Sequence, residues 1–223
     1  MFPKFKNPAL LETALSHRSS LNEAASGSTS PVSYERFEYL GDAVLEMTTT
    51  EWLFEAHPDE PEGVLTAYRS ALVKTTTLAQ AARELKLGEK MYMSKGEEAT
   101  GGRENEGLLA DVFEAVIGAL YLDQGYEPVK KFLEKQLFPK FAQIKKDKLY
   151  RDNKSFYQEV VQARKLPTPT YRVKDEIGPD HSKAFTVDVL VGGKVTGTGT
   201  GKSKQLAQQE AAREALEKLM EER

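Results

Sequence analysis

The chain has 223 residues, enough for one large domain or two modest ones, and its 39% apolar and 29% charged residues are the balance of a soluble globular protein. No apolar run reaches the ~18 residues of a membrane span, and Met1-Phe2-Pro3-Lys4-Phe5-Lys6 lacks the apolar core of a secretory signal. The absence of cysteine excludes disulfides, thiolate metal sites and cysteine nucleophiles, so an intracellular, cytoplasmic protein with no membrane partner is expected. The net charge of −3 argues against coating nucleic acid by bulk charge. That average hides an asymmetry. Residues 1–146 carry 17 basic against 22 acidic side chains, and residues 147–223 carry 14 against 12. An acidic front and a mildly basic back predict two domains with different work.

Residues 1–146 read as helix almost throughout, with apolar positions at helical spacing in Leu10-Leu11-Ala14-Leu15, Leu40-Val44-Leu45, Leu72-Val73-Leu78-Ala81-Leu85 and Leu109-Val112-Phe113-Val116-Ile117-Leu120. Ala24 to Ser33 is small and polar and reads as a mobile connection; Pro58, Pro61 and Gly101-Gly102 mark loops. The charged stretch 147–154 is the expected linker. Residues 155–223 change grammar: a helix over Ser155–Arg164, then alternating segments Thr170–Glu176, Ala184–Val191 and Lys194–Thr200. Gly192-Gly193 reads as a hairpin turn, and a helix over Gln205–Glu222 follows with Ser203 as its N-cap. The expected fold class is α+β: an all-α N-terminal domain followed by a small α-β-β-β-α domain with both helices on one face of its sheet.

Two segments of the front half carry acids inside otherwise apolar helical patterns. In Glu35-Arg36-Phe37-Glu38-Tyr39-Leu40-Gly41-Asp42-Ala43-Val44-Leu45, Glu38 and Asp42 are four apart. In Leu109-Ala110-Asp111-Val112-Phe113-Glu114, Asp111 and Glu114 are three apart. Like charges one turn apart share a helix face and destabilise it, and partial burial raises the cost. A hard divalent cation relieves both penalties, since carboxylate oxygens suit Mg²⁺, and four carboxylates with water could hold one or two ions, the equipment for phosphodiester hydrolysis. The same spacing also suits solvated faces or salt-bridge partners, and spacing alone does not choose between them.

The wording of both segments narrows the choice. The first closely resembles the signature of the ribonuclease III family, usually written E-R-L-E-F-L-G-D-A-V-L, with Phe37 and Tyr39 as conservative departures; the second resembles that family's second acidic helix. The resemblance implies that Glu38, Asp42, Asp111 and Glu114 are the metal ligands of one site holding Mg²⁺, with Mn²⁺ as a substitute, and that Asp42 and Glu114 are catalytic. It further implies a homodimer that hydrolyses both strands of double-stranded RNA to 5′-phosphate and 3′-hydroxyl ends, in ribosomal and messenger RNA precursor processing. Glu35 and Glu62 match acids near the dimer-facing or partner site, although each equally suits an exposed surface acid. Gly41, costly inside a helix by about 1 kcal/mol, fits close packing either at a dimer contact or between helices of one subunit. His17 matches a position read as structural. Gly102-Arg103-Glu104-Asn105-Glu106-Gly107 departs from the family, which more often has a basic stretch there, and this puts local RNA contacts in doubt.

The last 70 or so residues resemble a double-stranded RNA-binding domain through Gly178-Pro179-Asp180-His181-Ser182-Lys183-Ala184-Phe185, Gly197-Thr198-Gly199-Thr200-Gly201-Lys202-Ser203-Lys204 and Ala207-Gln208-Gln209-Glu210-Ala211-Ala212. A-form RNA presents 2′-hydroxyls in a shallow minor groove, flanked by phosphates. Gln158 and Gln162, one turn apart, are candidates for the 2′-hydroxyls, His181 for a second minor groove, and Lys202 and Lys204 for phosphates at a helix N-terminus. Gln205 stands where the family usually has a further lysine. The run Gly199-Thr200-Gly201-Lys202-Ser203 imitates a phosphate-binding loop, but G-x-x-x-x-G-K-S/T requires glycine where Thr196 stands, so no nucleotide cofactor is expected. Two other functions fit parts of the chain: a non-cleaving RNA-binding protein, and a metal phosphohydrolase for small molecules, which leaves the C-terminal domain without work.

Overall fold

A computed structural model describes residues 3–22, 30–146, 150, 152–179 and 183–221. The chain forms two compact units, Met1–Tyr150 and Arg151–Arg223. The segment 24–33, expected as a mobile connection, lies mostly outside the described residues.

The first unit is helical. Its elements are α1 (Pro8–Leu15), α2 (Glu35–Ala56), α3 (Glu62–Val73), α4 (Thr75–Glu84), α5 (Leu87–Lys90), α6 (Lys95–Ala99), α7 (Glu106–Gln124), α8 (Tyr126–Gln136) and α9 (Phe141–Lys146). Helix starts follow capping chemistry. Asn7, Ser94 and Asn105 each accept a backbone N–H of the first turn, from Ala9, Glu97 and Leu108 respectively. Gly125, at φ 83, ends α7. Helix α7 is the axis of the unit, burying Leu109, Ala110, Val112, Phe113 and every residue from Ala115 to Leu120. A helix that is apolar almost all round belongs in the centre of a core. Two of its acids, Asp111 and Glu114, are half-buried on the sector that faces α2.

Glycine sets how closely α2 and α7 approach. A Cβ on Gly41 would lie 1.8 Å from the carbonyl oxygen of Glu114, and one on Gly118 would lie 2.2 Å from the carbonyl oxygen of Phe37. The two glycines therefore interlock the helix backbones, with Gly41 on the turn that carries Glu38 and Asp42. Of the two readings of Gly41, packing between helices of one subunit is the observed one.

At the other end of the unit Trp52 stacks on Phe138 with ring centroids 4.3 Å apart, and Tyr68 packs edge-on against Phe141 at 4.9 Å and Tyr150 at 4.6 Å. Tyr150, expected in the linker, is thus part of the first unit's aromatic cluster. The far side of that stretch is also structured: Asn153 and Lys154 are the first residues of α10 (Asn153–Ala163), whose N-cap Asp152 accepts the Ser155 N–H at 3.0 Å. The helix starts two residues earlier than its apolar pattern suggests, because the cap and not the first apolar residue fixes its beginning.

The second unit adds three antiparallel strands in the order β1-β2-β3, namely β1 (Thr170–Ile177), β2 (Ala184–Val191) and β3 (Lys194–Gly201), and closes with α11 (Lys204–Glu221). The order α-β-β-β-α is the expected one. Gly192 and Gly193, at φ 58 and 79, make the turn between β2 and β3. The core comprises Tyr157 and Val161 of α10, Val189 of β2, and Ala211, Ala212, Ala215 and Leu216 of α11. Along β3, Gly197 and Gly199 admit the α11 backbone, since a Cβ on Gly199 would lie 2.1 Å from the Ala211 nitrogen. This close seat fixes where the N-terminus of α11 emerges. Among the described residues no helix is long and apolar enough to cross a membrane.

Candidate active site and nucleic-acid interface

The crossing of α2 and α7 brings the acids of two distant sequence segments together. One carboxylate oxygen from each of Glu38, Asp111 and Glu114 lies within 4.8 Å of the others. Asp42, exposed one turn along α2 from Glu38, falls outside that set, yet its charge is the foremost one acting on Glu114. Among the described residues none of the four carboxylates forms an ion pair or a hydrogen bond, so no described cationic side chain is paired with them. The electrostatic result is plain. Burial first, then the charges of Asp42, Asp111, Glu38 and Glu46, push the Glu114 carboxyl up to about 8. Burial and the charges of Asp111, Glu35 and Asp42 raise Glu38. Burial raises Asp111, and His17 opposes that rise. A set of hard oxygen donors, crowded, half-buried and without a cationic side chain, fits a divalent cation such as Mg²⁺.

Glu35 is exposed at the start of α2, 3.9 Å from Arg18 and accepting a hydrogen bond from the Ser33 hydroxyl at 2.9 Å. Glu62 is exposed at the start of α3, accepts from the Thr66 hydroxyl at 3.0 Å, and does not join the acidic cluster. It borders a groove of about 420 Å³ between α2 and α3, lined by Leu53, Phe54, Leu65 and Arg69. Two contributors escaped sequence reading. Glu46 continues the acidic row of α2 one turn beyond Asp42 and pairs with Arg69 at 2.9 Å; its four-residue step from Asp42 was the available signal. Gly118 is the second half of the helix crossing, visible only once Gly41 has a partner. The unusual acids of residues 102–107 have local work: Arg83 reaches Glu106 at 3.4 Å and Glu104 at 4.0 Å. Arg103 is spent internally, donating to the carbonyls of Gly88 and Met91 and pairing with Glu98.

In the second unit Gln158 and Gln162 are both exposed, one turn apart on α10. Gln158 borders a polar cleft of about 280 Å³ shared with Asp152, Lys154, Tyr171, Gln205 and Gln209. Lys202 is exposed beside the N-terminus of α11, where the Ser203 hydroxyl oxygen accepts the Leu206 N–H at 3.2 Å. Lys204 is more constrained than its expected role suggests: it pairs with Glu176 at 2.8 Å and lies over the Phe185 ring at 5.4 Å. His181 lies outside the described residues.

A Ribonuclease-III-like family model matches residues 7–141, and a Double-stranded RNA binding motif model matches residues 154–219. The chain belongs to the ribonuclease III family. Relatives named ribonuclease 3 match it nearly end to end. That of Caldanaerobacter subterraneus subsp. tengcongensis is 43% identical over 97% of this chain and 93% of its own length, and that of Roseiflexus sp. strain RS-1 is 45% identical over 96% and 91%. Among solved structures, the nuclease domain of ribonuclease III from Campylobacter jejuni is 37% identical with a TM-score of 0.55, covering 62% of this chain and 88% of that one. A second structure of that nuclease domain, with a TM-score of 0.54 and 38% identity over 61% of this chain and 92% of that one, is described as showing flexibility in a region involved in dimer formation. The protein is thus a ribonuclease III-type endonuclease with a helical nuclease domain, followed by a double-stranded RNA-binding domain.

Proposed function

We propose that this ribonuclease III cleaves double-stranded RNA with Glu38, Asp42, Asp111 and Glu114 as one Mg²⁺-holding site, with Mn²⁺ as a substitute ion. The observation that carries this reading is the crowding of three uncompensated carboxylates at the α2–α7 crossing, with Asp42 acting on Glu114. Bound Mg²⁺ supplies Lewis-acid charge neutralisation at the phosphodiester and lowers the pKa of an attacking water. The chain's part is to keep four oxygen donors fixed on two interlocked helices. Glu114, protonated at neutral pH without metal, gives up its proton when the site loads, so loading is favoured by rising pH. Products with 5′-phosphate and 3′-hydroxyl ends follow if the water attacks phosphorus and the 3′ oxygen leaves.

Duplex binding falls to the second unit, with Gln158 and Gln162 against 2′-hydroxyls, His181 in a second minor groove, and Lys202 and Lys204 on phosphates. Lys204 must exchange Glu176 for phosphate. The exposed apolar side chains Tyr39, Met47 and Phe54 along one side of α2 support a homodimer, since such a row on a free monomer is unfavourable. Glu62, beside the same groove, and Glu35 are the acids available to a partner subunit. A dimer supplies two sites, one per strand. Maturation of ribosomal and messenger RNA precursors in the cytoplasm is the corresponding role.

The test is incubation of the protein with end-labelled duplex RNA in Mg²⁺ and in EDTA, with products resolved on a denaturing gel. Discrete cuts bearing 5′-phosphates, present only with the metal, are expected. Tight binding with no cleavage in Mg²⁺ or Mn²⁺ would overturn the hydrolytic reading in favour of a non-cleaving RNA-binding protein.

A further inference from the structure

Strand β1 carries a bulge. Its register with β2 runs through Tyr171↔Val189 and Val173↔Val187, skips Lys174, and resumes at Asp175↔Thr186 and Glu176↔Phe185. Paired residues of antiparallel strands share a sheet face, and an inserted residue changes which side chain meets which. The bulge therefore sets Glu176, and not Asp175, beside Phe185, which pairs in turn with Gly201 of β3. Gly201 ends its strand three residues before Lys204, the first residue of α11.

Lys204 reaches across this row. Its ammonium lies 5.4 Å from the centre of the Phe185 ring and 2.8 Å from the Glu176 carboxylate, and the Lys183 ammonium lies 3.9 Å from the other oxygen of that carboxylate. The hydrogen bond from Lys204 foremost, and then the charges of Lys204 and Lys183, hold the Glu176 carboxyl below its ordinary value although burial opposes them. Lys202, exposed two residues before Lys204, has no ion pair with a described residue. A carboxylate gripped by lysine at the start of a helix is what a backbone phosphate would make in the same place. Anions are favoured at that end of a helix, and an ammonium binds carboxylate and phosphate through the same N–H groups. A phosphate that approaches Lys204 thus meets one of two costs. If the pair opens, its bond is lost; if it stays closed, a carboxylate remains beside the phosphate and like charges repel.

We infer that Glu176 is an intramolecular competitor of duplex RNA: it occupies Lys204 in the free protein and so holds down both the affinity for duplex and the salt dependence of binding. The inference rests on Lys204 being a phosphate contact, as proposed above. The side chains of Lys204 and Glu176 are 56% and 37% exposed, so the competition tunes binding and does not block it. An ion pair this exposed is worth up to about fivefold in an equilibrium constant. Repulsion between the carboxylate and the RNA adds to that at low salt, where screening is weak.

The test measures duplex RNA binding by the full chain in EDTA, at about 50 mM and about 200 mM salt. Glu176→Gln should bind about 5–10-fold more tightly than the wild type at the lower salt and about twofold more tightly at the higher. The difference arises because one added phosphate contact steepens the log–log salt slope by about one unit. The gain should vanish in a Lys204→Ala background and persist in a Lys202→Ala background, since Glu176 holds the first lysine and not the second. Unchanged affinity and slope in Glu176→Gln overturns the inference. So does weaker binding, which would make Glu176 the residue that steadies Lys204 for RNA, and so does an equal gain in the Lys204→Ala background, which would make it a source of general repulsion. Lys204→Ala alone should weaken binding. If it does not, the phosphate reading of Lys204 fails and this inference with it; weakening by Lys204→Ala without a gain from Glu176→Gln falls on the inference alone. Should Glu176→Gln disturb the fold in circular dichroism, Glu176→Thr, a residue suited to strands, is read in the same way.

Discussion

Replacing Glu114 by glutamine should stabilise the metal-free protein while removing its activity. Burial, and after it the neighbouring carboxylates, move the Glu114 carboxyl from 4.5 to about 8. The sign follows from proton linkage. Below pH 4.5 the group is protonated in folded and unfolded chains alike and contributes nothing. As pH rises from 4.5 towards 8 the unfolded chain ionises it while the folded protein does not, so folding loses ground, and above 8 the whole cost is present. At about 1.4 kcal/mol per pKa unit the undamped cost is about 5 kcal/mol. Glu114 is only half-buried, and solvent screening reduces the expectation to about 2 kcal/mol. For a domain of this size that corresponds to about 4–8 °C in Tm. Glutamine keeps the shape and cannot ionise. Thermal unfolding in EDTA should therefore give similar Tm values for wild type and Glu114→Gln near pH 4.5, and a variant about 4–8 °C more stable at ~pH 9. Mg²⁺ should raise the wild-type Tm more than the variant's, since a ligand stabilises only the state that binds it. Parallel Tm profiles across this range, or a variant less stable in alkali, would refute the electrostatic picture of the site.

Gly41→Ala should destabilise the nuclease unit by about 3 kcal/mol or more in urea unfolding and abolish cleavage, because its Cβ would meet the Glu114 carbonyl oxygen at 1.8 Å; a change within about 0.5 kcal/mol would contradict the interlocked crossing. Phe54→Glu, at a position 71% exposed, should shift the protein from dimer to monomer in sedimentation without unfolding it, and an unchanged dimer would move the interface elsewhere. Lys202→Ala should lower duplex RNA affinity and reduce the log–log salt slope by about one unit, whereas Gln158→Ala should weaken binding with the slope unchanged.

Much of this was legible in the chain because the decisive signals are local. The periods of Leu109 to Leu120 and of Lys194 to Thr200 reflect burial within single elements, and Ser203 marks its helix by a side-chain bond three residues long. The acids were legible as a pattern, and their chemistry was not: spacing puts Glu38 with Asp42 and Asp111 with Glu114, but only the crossing of α2 and α7 brings Glu38 together with Asp111 and Glu114. That crossing depends on Gly41 meeting Gly118 across 76 residues of intervening sequence, a pairing that no periodicity encodes. Lys204 illustrates the reverse limit. Its place at a helix start is written in the sequence, while its hold on Glu176, from strand β1, is a tertiary fact. Tyr150 and Asn153 show why charged stretches mislead about linkers, since an aromatic contact and an aspartate cap claim both ends of this one.

The most direct measurement is single-turnover cleavage of a preformed duplex RNA complex in Mg²⁺ by wild type and Glu114→Gln, with duplex affinity measured on the same samples. If the α2–α7 acids form the hydrolytic site, the variant binds duplex as the wild type does and cleaves at least about a thousandfold more slowly. Cleavage by Glu114→Gln at the wild-type rate would contradict that assignment and place the chemistry elsewhere in the chain.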